Sequence, residues 1–119
     1  MIFHITSQVE WSQAQARGEY TAPSLVTEGF IHFSTNKQVL SVANAFYRGR
    51  KDLVVLKVDE ARLKPELKWE APAGPPADNI SESDLFPHVY GPVNLDAVIA
   101  VLEFQPNPAT GTFDDHPHE

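Results

Sequence analysis

The stretch IFHITSQVE, residues 2–10, contains the point at which the residue pattern changes from that of a strand to that of a helix. Ile2–Thr6 is rich in β-favouring residues and ends in apolar-polar alternation, which predicts a strand. The next four residues, SQVE, form a capping box, in which the serine and the glutamate satisfy free N–H groups at a helix start. They predict a helix over residues 8–17 that ends at Gly18.

A second helix is predicted after the second strand, which covers Phe30–Ser34. The helix begins near Thr35 or Asn36, either of which can cap it, and ends at about Arg48. Its apolar residues recur at three- and four-residue spacing, which is typical of a helix face packed on a core. The residues of this stripe are Val39, Leu40, Ala43, Phe46 and Tyr47.

The remaining predicted strands lie in the second half of the chain. Leu53–Val58 and Ala97–Phe104 are nearly continuous apolar runs, so we expect both to be central strands covered on two faces. Leu67–Ala71 and Pro87–Gly91 predict shorter extended segments, separated by a proline-containing loop over residues 72–86. This order of elements favours an α+β fold with a mostly antiparallel, split sheet of about six strands and two early helices.

A chain of 119 residues has the size of a single domain with one core. We expect residues 1–104 to form that domain. Residues 105–119 are rich in proline, threonine and aspartate, and Phe113 is their one large apolar residue. They are therefore expected to form a flexible C-terminal tail outside the fold. The chain has no cysteine, which excludes disulfides, thiolate metal ligands and thiol nucleophiles.

The net charge of −7 arises entirely in the second half of the chain. Residues 1–60 carry six basic and six acidic side chains, whereas residues 61–119 carry three basic and ten acidic ones. This balance disfavours nucleic acid as a partner, because backbone binding needs a basic surface. No apolar run approaches the about 20 residues that span a bilayer, and the N-terminus does not resemble a signal peptide. We therefore expect a cytoplasmic protein without membrane contact.

Three predicted strands each carry a histidine followed two positions later by a hydroxyl residue. Because side chains alternate across a strand, both residues of each pair face the same side. The pattern uses every histidine outside the tail and predicts one polar cleft in which the strands hold the donors rigidly. The pairs are His4 and Thr6, His32 and Ser34, and His88 and Tyr90. Glu70, beside Trp69, is a candidate acid or an acceptor for a sugar hydroxyl.

Several sequence blocks between residues 1 and 104 closely resemble a small, uncharacterised bacterial protein family, a domain of unknown function. These blocks are FHIT, EGFIHFST, ANAFYRG, DLVVLKVD, KWE and FPHVYGPVNLDAVIAV. More distantly, that family resembles the ADP-ribosyltransferase fold. FHIT, residues 3–6, is similar to the aromatic-His-Gly-Thr motif that holds NAD in the diphtheria-toxin-like branch, and GFIHF, residues 29–33, resembles that branch's second strand.

The resemblance implies a cleft for NAD or ADP-ribose, although the cofactor is not otherwise identified by the sequence. His4, Thr6, Ser34 and Tyr90 are then the expected binding residues, and His32, His88 and Glu70 are the candidate catalytic residues. In the resembled fold a late strand carries the catalytic glutamate, and its place falls near HVY, residues 88–90, which contain none. We therefore expect weak binding with slow or absent ADP-ribosyl or glycosyl transfer or hydrolysis.

Two other functions fit the same residues. The first is a metal-dependent hydrolase that uses His4, His32 and His88, with or without Glu70, because three imidazoles with an open fourth position can activate water. The second is an interaction module whose acidic C-terminal half and tail bind a protein partner. The sequence does not predict an oligomeric state.

Overall fold

The computed structural model describes residues 1–72 and 84–117, which form an α+β fold with antiparallel strand pairing. The strands are β1 (Ile2–Ser7), β2 (Glu19–Tyr20), β3 (Ile31–His32), β4 (Leu53–Val58), β5 (Glu66–Glu70), β6 (Phe86–Tyr90), β7 (Val93–Asn94) and β8 (Val98–Glu103). The helices are α1 (Gln8–Arg17), α2 (Pro23–Thr27) and α3 (Val39–Phe46). Short 3-10 turns cover Glu60–Arg62 and Leu95–Ala97.

The strands form two three-stranded sheets, ordered β1-β4-β8 and β3-β6-β5, and one short β2-β7 pair. A backbone bridge between Phe3 and Ser34 connects the two larger sheets. In this bridge each residue donates its N–H to the other's carbonyl, at 2.8 and 2.7 Å. The bridge therefore places the histidine of β1 beside the histidine-bearing strands β3 and β6.

Helix α1 begins and ends where the sequence predicts. The Ser7 side chain accepts the N–H of Glu10 at 3.1 Å, so the capping serine acts as expected. Gly18 closes the helix with φ of 91°, a left-handed conformation that glycine adopts at no steric cost. The local signals thus predict both boundaries, and the carbonyl of Asp52 adds a tertiary contact at the start by accepting the N–H of Gln8 at 2.9 Å.

Alternate residues of β1 pack into two different hydrophobic cores. Phe3 and Ile5 join the core formed with α3 and β8. Ile2 joins the other core, which contains residues of β3 and β6. His4 lies on the same face as Ile2, because positions two apart share a face. It therefore points toward the second sheet and not toward α3.

The prediction for the last strand is wrong in one respect. β4 is central, as expected, but β8 is an edge strand of its sheet. Ile99 and Val101 on β8 are accordingly 41% and 37% exposed. An apolar run predicts a strand, but its residue types do not indicate whether the strand has one neighbour or two.

The expected number of elements is lower than the number observed in the described residues. The structure has eight strands and three α-helices, whereas about six strands and two helices are expected from the sequence. β2, β7 and α2 are too short for hydrophobic periodicity to reveal them. α3 is also shorter than predicted, and Phe46 at its end is 60% exposed, so its assignment to the core is wrong.

Residues 105–117 return to the body of the protein, whereas the sequence predicts a tail outside the fold. Phe113 is 2% exposed and stacks on Phe104, with 4.5 Å between ring centroids. Asn44 donates to the carbonyl of Phe113 and accepts its N–H. One aromatic ring is thus enough to add this segment to the core formed with α3 and β8.

Two further expectations concern the loop and the membrane. Most of the predicted 72–86 loop, residues 73–83, lies outside the described residues. Within residues 1–72 and 84–117, no helix combines the length and apolar character needed to cross a membrane.

Candidate functional site

A cavity of about 540 Å³ lies where β1, β3 and β6 meet the helices. His4, His32 and His88 all contribute to its lining, as do Thr6 and Ser34. Its walls therefore come from both three-stranded sheets, joined by the bridge from β1 to the end of β3. This volume falls within the range of about 300–1,000 Å³ that is typical of small-molecule sites.

His4 belongs to a buried chain of polar contacts. Its Nε2 lies 2.7 Å from the hydroxyl oxygen of Tyr20, and its Nδ1 contacts the backbone carbonyl of His32. The Tyr20 hydroxyl donates to Thr6 at 2.9 Å, and the Thr6 hydroxyl donates to Glu10 at 2.7 Å. The chain thus runs from the first turn of α1 to the backbone of β3.

These donor directions would require His4 to donate from both nitrogens, as only an imidazolium can. Burial has the opposite effect and lowers the pKa of His4 to about 4. At neutral pH the ring is therefore neutral and carries one hydrogen, so one contact in the chain lacks a hydrogen. Both nitrogens are nevertheless occupied by protein atoms, which leaves neither for a metal or a ligand.

His88 is also buried, but a carboxylate holds it. Its Nδ1 lies 2.8 Å from a Glu70 oxygen, and the Tyr90 hydroxyl donates to that same oxygen. Hydrogen bonds from Tyr90 and His88 lower the pKa of Glu70. Because a carboxylate can only accept, Nδ1 carries the hydrogen and the lone pair of neutral His88 lies on Nε2. Burial lowers the pKa of His88, and the bond to Glu70 opposes this effect.

Phe30 packs against this group from the preceding turn. Its ring stacks on His88 with 4.1 Å between centroids and an interplanar angle of 20°. Gly29, with φ of 90°, makes the turn from α2 into β3 that brings Phe30 to this position. The imidazole of His88 is thus fixed by Phe30 on its face and by Glu70 at its edge.

His32 is the most exposed of the three cavity histidines. Its Nε2 lies 2.9 Å from a Glu28 oxygen, and the two side chains are 41% and 43% exposed. Its ring meets that of His88 edge to face, with 5.6 Å between centroids. His32 and Glu28 therefore form the part of the cavity wall that an incoming molecule can contact directly.

The structure separates the seven predicted site residues into two groups. The cavity lining contains five of them: His4, Thr6, His32, Ser34 and His88. Glu70 and Tyr90 do not line the cavity: Glu70 bonds His88 from outside it, and Tyr90 donates to Glu70. Tyr90, one of the expected binding residues, has Lys68 over its ring at 4.9 Å.

The metal-binding alternative lacks the ligands that it requires. Within residues 1–72 and 84–117, no group of three or more histidine, aspartate or glutamate side chains could hold a metal ion. His4 in particular is occupied at both nitrogens. The three histidines share a cavity, but they do not converge on one point.

Sequence reasoning missed five lining residues that complete the site. These are Glu10, Tyr20, Glu28, Phe46 and Arg50. Glu10 carries a signal, since the capping box already identifies it, but that motif does not indicate a second contact with Thr6. Phe46 was assigned to the core because of its helical spacing. No pattern in the sequence connects Tyr20 to His4.

The fold and the cavity define an α+β domain with a histidine-lined site between two small antiparallel sheets. The chain belongs to the DUF952 family, described as proteins of unknown function, whose sequence profile matches residues 5–101. The resemblance to a domain of unknown function is thereby confirmed. No functionally curated protein matches the chain.

Solved structures of one bacterial protein share this fold. The crystal structure of protein CC0527 from Caulobacter crescentus is 32% identical, with a TM-score of 0.80. The match covers 95% of this chain and 92% of that chain. The solution NMR structure of CC0527 is 30% identical, with a TM-score of 0.71, and the match covers 92% of this chain and 88% of that one.

Proposed function

We propose that the protein binds a ribose-containing ligand of nucleotide size, of the NAD or ADP-ribose class, in the histidine-lined cavity. The observation that carries this proposal is the accessible His32–Glu28 pair beside His88, in a cavity of about 540 Å³. Imidazole and carboxylate groups suit the vicinal hydroxyls of a ribose, because they supply donors and acceptors together. The resemblance of the FHIT block to a motif that holds NAD, and of the GFIHF block to the second strand of the same fold, supports the same ligand class.

The lining residues then divide between contact and positioning. His32 and Glu28 contact the ribose hydroxyls, and Nε2 of His88 accepts a hydrogen bond from the ligand. Ser34 lies at the bridge between the sheets and fixes the relative position of β1 and β3. His4 and Thr6 are positioning residues, since their polar atoms are already bonded within the protein.

Turnover is expected to be slow or absent. One carboxylate of the neighbouring strand β5, that of Glu70, does contact side chains of β6. However, His88 and Tyr90 engage it, and it does not line the cavity. It is therefore not placed to stabilise positive charge that develops on a bound ribose.

Calorimetric titration with NAD and with ADP-ribose tests the proposal. We expect weak binding to the wild type, loss of binding in His32→Ala, and no change in His116→Ala, an exposed histidine outside this cavity. His32 is 41% exposed, so its removal should leave the fold intact, which circular dichroism checks. No heat with either ligand at millimolar concentration would refute the proposal. Rapid nicotinamide release from NAD would refute slow turnover.

A further inference from the structure

We propose that the cavity selects ribosides that carry no phosphate, and among them those with a positively charged ring. This inference rests on the proposed ribose-binding function and ranks its ligands: NAD and ADP-ribose still bind, but more weakly than a phosphate-free riboside does. It follows from the charges of the lining, from the occupied end of α1, and from an exposed aromatic face. A nucleoside with a pyridinium-type base is the ligand that these features fit best.

The first argument is the balance of charge in the described lining. Apart from the histidines, its charged side chains are Glu10, Glu28 and Arg50. Arg50 is paired with Asp52 by two hydrogen bonds, at 3.1 and 2.7 Å. A phosphate would have to compete with this bidentate pair while it approached two formally negative side chains. Phosphate recognition normally uses a free guanidinium fork or a Lys cluster.

The second argument concerns the helix end that would otherwise attract an anion. The N-terminus of a helix favours negative charge, because its first N–H groups are free and its dipole is positive there. Ser7 and Glu10 at the start of α1 both line the cavity. Ser7 already accepts the N–H of Glu10, and the Glu10 side chain lies in the first turn. The N–H groups of Gln8 and Glu10 are thus already bonded, to the Asp52 carbonyl and to Ser7, and the negative side chain of Glu10 in the first turn opposes an anion there.

Residues 73–83 are acidic in sequence. They contain Asp78 and Glu82 and no basic side chain. The chain as a whole carries a net charge of −7, so its long-range field also repels anions.

The third argument is that the lining contains both an exposed aromatic side chain and an exposed carboxylate. Phe46 lines the cavity and is 60% exposed, although its helical spacing is that of a core residue. A ring that faces solvent in this way offers a stacking surface to a planar base. Stacking on an aromatic face becomes stronger when the partner is cationic. Glu28, also in the lining and 43% exposed, adds direct attraction for positive charge.

Comparing four ligands by calorimetry tests the inference. The probes are nicotinamide riboside, its 5′-phosphate, adenosine and ADP-ribose. We expect nicotinamide riboside to bind at least about threefold more tightly than its 5′-phosphate, as a half-exposed like-charge contact predicts. Adenosine should bind between these two, because it lacks both the positive ring and the phosphate. Added salt should weaken the binding of nicotinamide riboside.

Two matched pairs of variants locate the origin of the preference. Glu28→Gln keeps the contact with His32 but removes the charge, so it should reduce the preference for the riboside over its phosphate by about threefold. Glu103→Gln, which is exposed and outside this cavity, should change nothing. Phe46→Leu should weaken every probe, whereas Trp69→Leu, an exposed aromatic outside the lining, should not.

The outcomes separate this inference from the proposed function. Tighter binding of ADP-ribose or of the 5′-phosphate than of the two ribosides would overturn the inference and leave ribose binding in place. Tighter binding of adenosine than of nicotinamide riboside would overturn the preference for a positive ring. Binding of none of the four probes would overturn ribose binding and the inference with it. An unchanged preference in Glu28→Gln would overturn the assigned electrostatic origin.

Discussion

His4 on β1 and His88 on β6 occupy similar positions but have different partners. Both are buried, with exposures of 7% and 2%, and each is followed two residues later by a hydroxyl side chain. His4 contacts a tyrosine hydroxyl and a backbone carbonyl, whereas His88 contacts the carboxylate of Glu70. Burial disfavours the imidazolium form in both cases. At His88 a directly bonded carboxylate opposes this effect, whereas at His4 the His32 carbonyl opposes it more than the Glu10 carboxylate does.

This difference shows how one sequence pattern yields two kinds of histidine. The series of polar contacts around His4 connects α1, β2 and β3, so it holds the cavity wall together. The pair at His88 fixes a tautomer and leaves Nε2 as an acceptor. We therefore expect changes at His4 to affect stability first, and changes around His88 to affect titration and binding.

The largest expected effect is the loss of His4. His4→Ala removes a buried ring and leaves Tyr20 and the His32 carbonyl without this partner, which should cost about 2–4 kcal/mol of unfolding free energy. Tyr20→Phe removes only the hydroxyl and should cost about 1–2 kcal/mol. Urea denaturation measures both losses. A loss below about 1 kcal/mol for His4→Ala would contradict the structural role assigned to the polar contacts around His4.

The next effect is the response of stability to acid. The pKa of His4 falls from 6.5 to about 4 on folding, so the unfolded state takes up its proton first as the pH drops. The free energy of unfolding should therefore decrease between pH 6.5 and about 4, by up to about 3 kcal/mol from this group. The decrease should be smaller in His4→Gln, when both proteins are followed by denaturation across this pH range. Equal pH dependence in the two proteins would show that the pKa of His4 does not fall on folding.

The smallest effect concerns the titration of His88. Burial lowers the pKa of His88, and the negative charge of Glu70 opposes this effect. Glu70→Gln removes that charge, so the pKa of His88 should fall further below its ordinary value. Glu66→Gln, on the same strand but exposed, is the matched control and should leave the pKa unchanged. Histidine NMR titration measures both variants. A higher pKa in Glu70→Gln would contradict the role assigned to this carboxylate.

Several parts of the site could be predicted, because strand alternation is a local rule. It places His4 with Thr6 and His32 with Ser34 on common faces, and all four line the cavity. The same rule paired His88 with Tyr90, but alternation cannot tell which polar residue reaches a cavity. Glu70 reaches His88 only because β5 and β6 are neighbours, a pairing that sequence spacing does not specify.

The sequence by itself determined the elements with strong local signals. The β1–α1 junction, with its capping serine and terminal glycine, and the strand Leu53–Val58 lie where the residue pattern places them. Only the tertiary structure decided which of those elements meet. The neighbours of β8, the burial of Phe113, the contact between Tyr20 and His4, and the exposure of Phe46 all depend on residues distant in the chain. Local propensity acts over a few residues, whereas the environment of a side chain is set by long-range packing.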